Sequence, residues 1–151
     1  MNQLLEKIKE FGIVPVVVLD HAKDAIPLAQ ALCDGGLPCA EITFRTDAAE
    51  DSIRILAKEF PHMLIGAGTI LTTEQVDRAV LAGAKFIVSP GLNSKIICHC
   101  SKKNIPIIPG CSTPSDVEQA IEHDLDVVKF FPAQQAGGSP TSKPSPLPTW
   151  E

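Results

Sequence analysis

The sequence predicts an α/β fold of the (β/α)8-barrel type, incomplete at about six βα units, with an N-terminal helix and a disordered Pro/Ser-rich tail. Two observations carry this prediction. Short apolar runs recur along the chain, and each is followed by a segment with helical periodicity. Equivalent positions in successive runs, from Val14 to Val127, are 26, 24, 21, 21 and 21 residues apart. Strands that alternate with helices at this spacing indicate βα units around a parallel sheet.

The predicted strands contain few polar interruptions, which is typical of parallel strands that are covered on both faces. They span residues 13–19, 39–44, 63–66, 85–89, 105–109 and 126–131. A complete barrel of this type typically takes about 250 residues. We therefore expect a barrel that stops short of its seventh and eighth units.

Helix signals lie before and between the strands. Residues 2–11 mix charged and apolar side chains as an amphipathic helix does. A helix is predicted from Asp47, with acidic residues in its first turn and Ala49, Ile53 and Leu56 on one apolar stripe.

The last predicted helix has a clear start. Thr113 followed by Pro114 places a capping hydroxyl before a proline at the first helical position. Its apolar residues Val117, Ala120 and Ile121 are expected to face the sheet.

The composition limits the class of protein. The chain of 151 residues is 44% hydrophobic, which suits one domain with a buried core. Its 13 basic and 18 acidic residues give a formal net charge of −5, so neither nucleic acid nor an anionic membrane is an expected partner. The longest apolar stretch, 12–19, is far shorter than the ~20 residues that cross a bilayer.

The ends of the chain differ in character. The beginning is an amphipathic segment rather than a signal peptide, and the five cysteines are expected to be reduced and buried, so we expect a cytoplasmic protein. After Gly138 the sequence becomes rich in Ser and Pro without a helix or strand period. The predicted organisation is a partial barrel domain at 1–138 and a low-complexity tail at 139–151.

Polar residues inside two strands are candidates for chemistry. In the second strand Glu41, Thr43 and Arg45 alternate with apolar residues and are expected to face the barrel interior. Lys129 faces inward near the carboxyl end of the sixth strand, where barrel enzymes keep their sites. An amine walled by apolar groups loses hydration and can attack a ketone to form a Schiff base. An internal ion pair with Glu41, or a lysine that extends to the rim, explains the same pattern.

Three weaker sequence signals have alternative explanations that involve no function. The glycine-rich turn that ends at Thr69 allows close approach to an anion, but it also suits a tight βα loop. The segment that contains Pro90 has a purely structural interpretation, because a proline there can simply end the fourth strand. The run Cys98, His99 and Cys100 invites a zinc hypothesis, but these neighbours would diverge on a helix and no second ligand pair follows. We expect no metal at this run.

Six segments then stand in a fixed order along the chain. They are GIVPVVVLD at 12–20, AEITFRT at 40–46, IGAGTIL at 65–71, FIVSPGLN at 86–93, IPIIPGCSTPSD at 105–116 and VVKFFPAQQAGG at 127–138. Together they resemble the class I aldolases that act on 2-dehydro-3-deoxy-6-phosphogluconate (KDPG) and 4-hydroxy-2-oxoglutarate (KHG). The resemblance covers residues 1 to about 138.

The resemblance implies a role for five residues. Lys129 would be the Schiff-base lysine and Glu41 the general acid/base. Arg45 and Thr69 would hold the pyruvate carboxylate, and Pro90 would pack against the pyruvyl group. The implied reaction is the lyase cleavage of KDPG to pyruvate and glyceraldehyde 3-phosphate, or of KHG to pyruvate and glyoxylate. The implied partners are a small 2-oxo acid and two further copies of the chain in a homotrimer. The resemblance implies neither a metal nor a cofactor, because the protonated imine is the electron sink.

The chain also departs from the family, which continues beyond the AGG of 136–138 into a seventh and an eighth unit. The change at Ser139 has the pattern of an out-of-frame read or an early stop. Phosphate sites on barrels usually come from the loops after strands seven and eight. Three hypotheses follow: a lyase with weakened phosphate recognition, a catalytically inactive relic or partner-bound scaffold, and a ligand-binding barrel in which Lys129 only anchors an anion.

Overall fold

The computed structural model describes residues 3–138, and the predicted tail at 139–151 lies outside them. Six strands form one parallel sheet: β1 (Val16–Val17), β2 (Cys39–Thr43), β3 (Leu64–Gly68), β4 (Phe86–Ser89), β5 (Ile107–Cys111) and β6 (Lys129–Phe130). The helices are α1 (Gln3–Phe11), α2 (Ala25–Asp34), α3 (Ala49–Glu59), α4 (Thr73–Ala82), α5 (Ser94–Lys102) and α6 (Pro114–Glu122). A short 3-10 turn at Ala22–Asp24 precedes α2.

The strands follow one another in the sheet in the order of the chain, and every pair of neighbours is parallel. This is the topology of a (β/α)8 barrel that holds six of its units. The predicted incomplete barrel and its N-terminal helix are therefore confirmed. Within residues 3–138, β1 and β6 are the two edges of the curled sheet.

The two edge strands are shorter than the sequence predicts. The first covers Val16–Val17 rather than 13–19, and the last covers Lys129–Phe130 rather than 126–131. Each of them has a neighbour on one side only in the described part of the chain, and each ladder contains two residue pairs. The backbone is assigned as strand only as far as those ladders run.

Apolar side chains form two cores on opposite faces of the sheet. The larger core lies between the sheet and the helices and includes Ile42, Ile65 and Ile87. The smaller core fills the barrel interior, where α1 packs against it. This interior core consists of Cys39, Leu64, Phe86, Val88 and Ile108, with Leu4, Leu5, Ile8, Phe11, Val14 and Val127 packed on it.

The last helix corrects one expectation. Its predicted start is confirmed, because the Thr113 hydroxyl accepts from the Asp116 amide and the Asp116 carboxylate accepts from the Thr113 amide. Of the three apolar residues expected to face the sheet, only Ala120 is buried; Val117 is 43% exposed and Ile121 is 67% exposed. The prediction was wrong for these two because α6 is the last helix in the described part of the chain, and no later helix covers its flank there.

The cysteines are free, but they differ in exposure. Cys39, Cys100 and Cys111 are buried as expected, but the expectation was wrong for Cys98, which is exposed on α5, and for Cys33, which is only half-buried on α2. Burial raises the pKa of the Cys39 and Cys100 thiols to about 11. No helix among residues 3–138 has the length and apolar character that crossing a membrane requires.

Candidate active site

Strand β2 carries Glu41 into the barrel interior. Ala40 and Ile42 point into the outer core, so the alternation of a strand turns Glu41 and Thr43 to the opposite face. Only 4% of Glu41 is exposed, and Thr43 is fully buried. The Thr43 hydroxyl donates to the Val17 carbonyl oxygen at 2.9 Å, which joins the interior of β2 to the edge strand β1.

Lys129 meets Glu41 across the interior. Its Nζ lies 3.4 Å from both carboxylate oxygens of Glu41, although 88 residues separate the two in the chain. Lys129 pairs with Gly110 of β5 in the sheet, and its Nζ lies 5.3 Å from the centre of the Phe131 ring. The lysine side chain is 28% exposed and the glutamate side chain 5%, so the amine is reachable from solvent while its partner is enclosed.

The arrangement satisfies both sequence interpretations of this pair. As drawn, the ammonium and the carboxylate form an internal ion pair. The same geometry places a primary amine beside a proton acceptor, above the apolar interior that includes Phe86 and Val127. An amine and a base within hydrogen-bond reach are what covalent catalysis on a ketone needs.

Arg45 and Thr69 lie on adjacent loops at the carboxyl ends of β2 and β3. The Nε of Arg45 donates to the Thr69 hydroxyl at 3.2 Å. The loops are also joined by the backbone, since the Phe44 amide donates to the Gly68 carbonyl at 2.8 Å. Thr69 has a φ of 57°, which turns the chain sharply out of β3. A guanidinium and a hydroxyl held side by side suit a carboxylate ligand.

Pro90 follows β4 in a turn that is held by its own residues. The Ser89 hydroxyl donates to the Gly91 carbonyl at 2.8 Å. A methyl group at Gly110 would overlap the carbonyl of Pro90, so glycine at 110 lets the β4 turn approach β5. Because Gly110 is the sheet partner of Lys129, this turn lies beside the strand neighbour of the lysine.

The structure gives a different role to two glycines of the turn that the sequence analysis interpreted as an anion-approach site or a tight βα loop. Gly66 and Gly68 are the inward residues at the carboxyl half of β3. A methyl at Gly66 would overlap the ring of Phe86, and a methyl at Gly68 would overlap the Glu41 carboxylate. The signal was the glycine spacing in the segment 65–71, but its meaning depends on what lies opposite each glycine.

The zinc hypothesis finds no support in the geometry. Cys98 is exposed, Cys100 is buried in the outer core, and the Nε2 of His99 lies 2.8 Å from an oxygen of Asp77. Among residues 3–138, no cluster of three or more histidine, cysteine or acidic side chains could hold a metal ion.

Comparisons with known proteins agree on one family. A sequence model of the family described as KDPG and KHG aldolase matches residues 4–145. The chain is 52% identical over 137 residues to a 2-dehydro-3-deoxy-phosphogluconate aldolase of Haemophilus influenzae, and 45% identical over 139 residues to one of Treponema pallidum. These matches cover 91% and 92% of this chain, but only 65% and 66% of the relatives, just under two thirds of their length.

A solved structure agrees as well. The KDPG aldolase of Legionella pneumophila, with pyruvate captured as a covalent carbinolamine intermediate, superposes with a TM-score of 0.80 at 41% identity. The superposition covers 83% of this chain and 61% of that structure. The sequence, the strand order and the barrel topology thus lead to the same result: the chain belongs to the KDPG and KHG aldolase family.

Proposed function

We propose that this chain is a Schiff-base aldolase of small 2-oxo acids. The observation that carries the proposal is the contact between Lys129 and Glu41, 3.4 Å apart beside the apolar core of the barrel interior. The family supports it, as does the carbinolamine captured in the Legionella relative. The proposed substrates are KDPG, cleaved to pyruvate and glyceraldehyde 3-phosphate, and KHG, cleaved to pyruvate and glyoxylate.

The proposed reaction begins at the amine. Neutral Lys129 adds to the C2 carbonyl to give a carbinolamine, which takes up a proton from solvent and loses water to become a protonated imine. Glu41 accepts the proton of the C4 hydroxyl as the bond between C3 and C4 breaks, and the electrons of that bond flow to the imine nitrogen. The aldehyde leaves. Glu41 then returns a proton to C3 of the enamine, and water releases pyruvate from Lys129.

The other predicted residues have matching roles. Arg45 and Thr69 bind the carboxylate of the 2-oxo acid, because the guanidinium and the hydroxyl already lie side by side. Pro90 packs against the pyruvyl group from the β4 turn. Arg45, Thr69 and Pro90 follow the carboxyl ends of β2, β3 and β4, on the face that barrel enzymes use, and Glu41 and Lys129 lie within β2 and β6.

The finer predictions stay proposals of the same kind. We assign residues 1–138 to the partial barrel and 139–151 to the tail, and we place the protein in the cytoplasm as a homotrimer. Recognition of the KDPG phosphate is expected to be weak in the described six-stranded part, because barrels usually bind phosphate with the loops after strands seven and eight.

A second candidate function is a non-catalytic one, as a relic or as a scaffold bound to a partner. It is favoured by the apolar side chains at both edges of the sheet. Val16 is 50% exposed on β1, and Phe130 is 49% exposed on β6. Unpaired strand edges with apolar side chains tend to pair with other chains.

Borohydride trapping tests the proposal. The purified chain is incubated with pyruvate, reduced, and mapped by peptide mass spectrometry. We expect a reduced pyruvyl adduct on Lys129 that is absent without pyruvate and absent in Lys129→Arg, but present in Lys85→Arg. Soluble, cooperatively melting protein that forms no adduct would contradict catalysis and favour the non-catalytic candidate.

A further inference from the structure

The inward side chains of β3 become smaller toward the site. Leu64 belongs to the interior core, while Gly66 and Gly68 carry no side chain. The residues between them, Ile65 and Ala67, belong to the outer core. The strand thus keeps its contacts with the helices and leaves space on its interior face, at the level where Glu41 lies.

The space at Gly68 is filled by one specific group. A Cβ placed on Gly68 would lie 2.6 Å from both Cγ and Cδ of Glu41, and it would overlap the carboxylate oxygen Oε1. The carboxylate therefore occupies the volume that any other residue at 68 would take. Gly68 has no left-handed φ, so alanine is acceptable to the backbone and its cost is steric.

We propose that Gly68 is a positioning residue: the absence of its side chain forms the slot that holds the Glu41 carboxylate against Lys129. The inference rests on the proposed function for its consequence in catalysis. It goes beyond the contact itself, because it names what fixes the carboxylate 3.4 Å from Nζ. The Glu41 side chain is 95% enclosed, so a methyl at 68 displaces the carboxylate rather than letting it swing freely into solvent.

The consequence is selective for one chemical step. In a Gly68→Ala variant, Lys129 keeps its strand and its register partner Gly110, so its amine still forms the imine with pyruvate. Proton transfer requires Glu41 within reach of C3, and general-base catalysis falls off when the base is moved. Imine formation should survive while proton exchange at the pyruvate methyl is lost.

The experiment measures both steps on the same protein. Borohydride trapping reports the imine. NMR in D2O reports exchange of the pyruvate methyl, in which Glu41 removes a proton from C3 of the imine and deuterium returns to the enamine. We expect Gly68→Ala to lower the exchange rate per trapped imine about 10- to 100-fold, within the range that acid–base groups contribute. Gly91→Ala is the matched control, because no atom lies within 4 Å of a methyl there.

A double-mutant cycle separates this from general damage. Alanine at 41 has neither the Cγ nor the Cδ that a methyl at 68 would overlap, so Gly68→Ala should cost less than 3-fold of the residual exchange in the E41A background. An unchanged exchange rate in Gly68→Ala, or an equal loss in both backgrounds, would overturn the inference.

The same double-mutant cycle can be measured by protein stability, without any enzyme activity. Gly68→Ala should lower the urea midpoint in the Glu41 background and lower it much less in the E41A background, because the nearest atoms to the added methyl are Cγ, Cδ and Oε1 of Glu41. If the wild-type chain forms no adduct, the proposed function fails and this steric cycle still decides the role of Gly68. Gly68→Ala that unfolds alone but folds with E41A supports the inference, whereas equal midpoint losses in both backgrounds contradict it.

Discussion

Arg45 donates a hydrogen bond from Nε to the hydroxyl of Thr69 at 3.2 Å, and this bond joins the loop after β2 to the loop after β3. No group among residues 3–138 accepts a hydrogen bond from the two terminal nitrogens of the guanidinium. The bond therefore orients the planar group and leaves its outer pair of donors for a carboxylate.

This relationship predicts the effect of Arg45→Lys. Lysine keeps the charge but loses the planar fork, so the pyruvate concentration for half-maximal trapping on Lys129 should rise about 10-fold, equivalent to ~1.4 kcal/mol. Trapping at saturating pyruvate should be retained. Arg78→Lys, on the outer surface where Arg78 pairs with Glu50, is the control. An unchanged half-maximal concentration in Arg45→Lys would argue against a role in carboxylate binding.

Gly66 predicts a stability effect without a direct catalytic one. A methyl at 66 would overlap the ring of Phe86, which is 1% exposed, and would lie 2.6 Å from the ring carbon Cε1. We expect Gly66→Ala to lower the free energy of unfolding by about 1–3 kcal/mol, as other overpacked cores do. Urea unfolding measures it, and adding Phe86→Leu should recover part of the loss. An unchanged urea midpoint in Gly66→Ala would show that the interior core can accommodate the added methyl group.

The cap of α6 predicts a dependence on pH. The Asp116 carboxylate accepts from the amides of Ser112 and Thr113, each at 3.0 Å, and these bonds hold its pKa below the ordinary 3.8. A depressed carboxyl pKa means stability that is present above the unfolded value and lost as pH falls through the folded value. Asp116→Ala should therefore cost about 0.3–1 kcal/mol at neutral pH, the usual contribution of a carboxylate in the first turn of a helix.

The stability difference between the wild type and Asp116→Ala should shrink once the pH falls below 3.8, the ordinary pKa of an aspartate. Below that pH the wild-type carboxyl becomes protonated and its charge no longer contributes. Urea midpoints of both proteins at a series of pH values measure it. Glu118→Ala, an exposed position on the same helix, is the control and should show no such convergence. A difference that stays constant into strong acid would show that the cap does not act through its charge.

The thiols should react in two groups. Cys98 is exposed, whereas burial raises the pKa of Cys39 and Cys100 to about 11. Since the thiolate is the reactive form, native protein treated with N-ethylmaleimide near neutral pH should label Cys98 first. Cys39 and Cys100 should be labelled only with urea present, and peptide mass spectrometry assigns the sites. Labelling of Cys39 at the rate of Cys98 in native protein would contradict the closed interior.

Much of the site can be predicted from the sequence because its signals are local. The alternation in β2 assigns Glu41 to the interior without knowledge of any other strand. The βα spacing assigns Lys129 to the last strand, at the same end of the sheet. In the structure the Nζ of Lys129 lies 3.4 Å from the Glu41 carboxylate, so the two predicted residues meet. Likewise, Thr113 and Asp116 interact through one turn of backbone, so their cap is visible in the sequence.

The other features of the fold and the site depend on contacts between distant residues, which the sequence pattern does not identify. The glycines of β3 indicate a close approach, but only the fold shows that Gly68 faces Glu41 and Gly66 faces Phe86. The periodicity of α6 shows an apolar stripe, but it does not show that Val117 and Ile121 have no helix beside them among the described residues.

The contact between β2 and β6 also makes the site an internal measure of sheet curvature. Three strands lie between these two, and in a flat sheet with strands about 4.8 Å apart they would be separated by roughly 19 Å. Their side chains meet only because the sheet curls. A treatment that flattens the sheet while leaving the helices intact would separate the Lys129 amine from the Glu41 carboxylate. The rate of proton exchange, measured at increasing denaturant concentration, would therefore report closure of the barrel independently of its helix content.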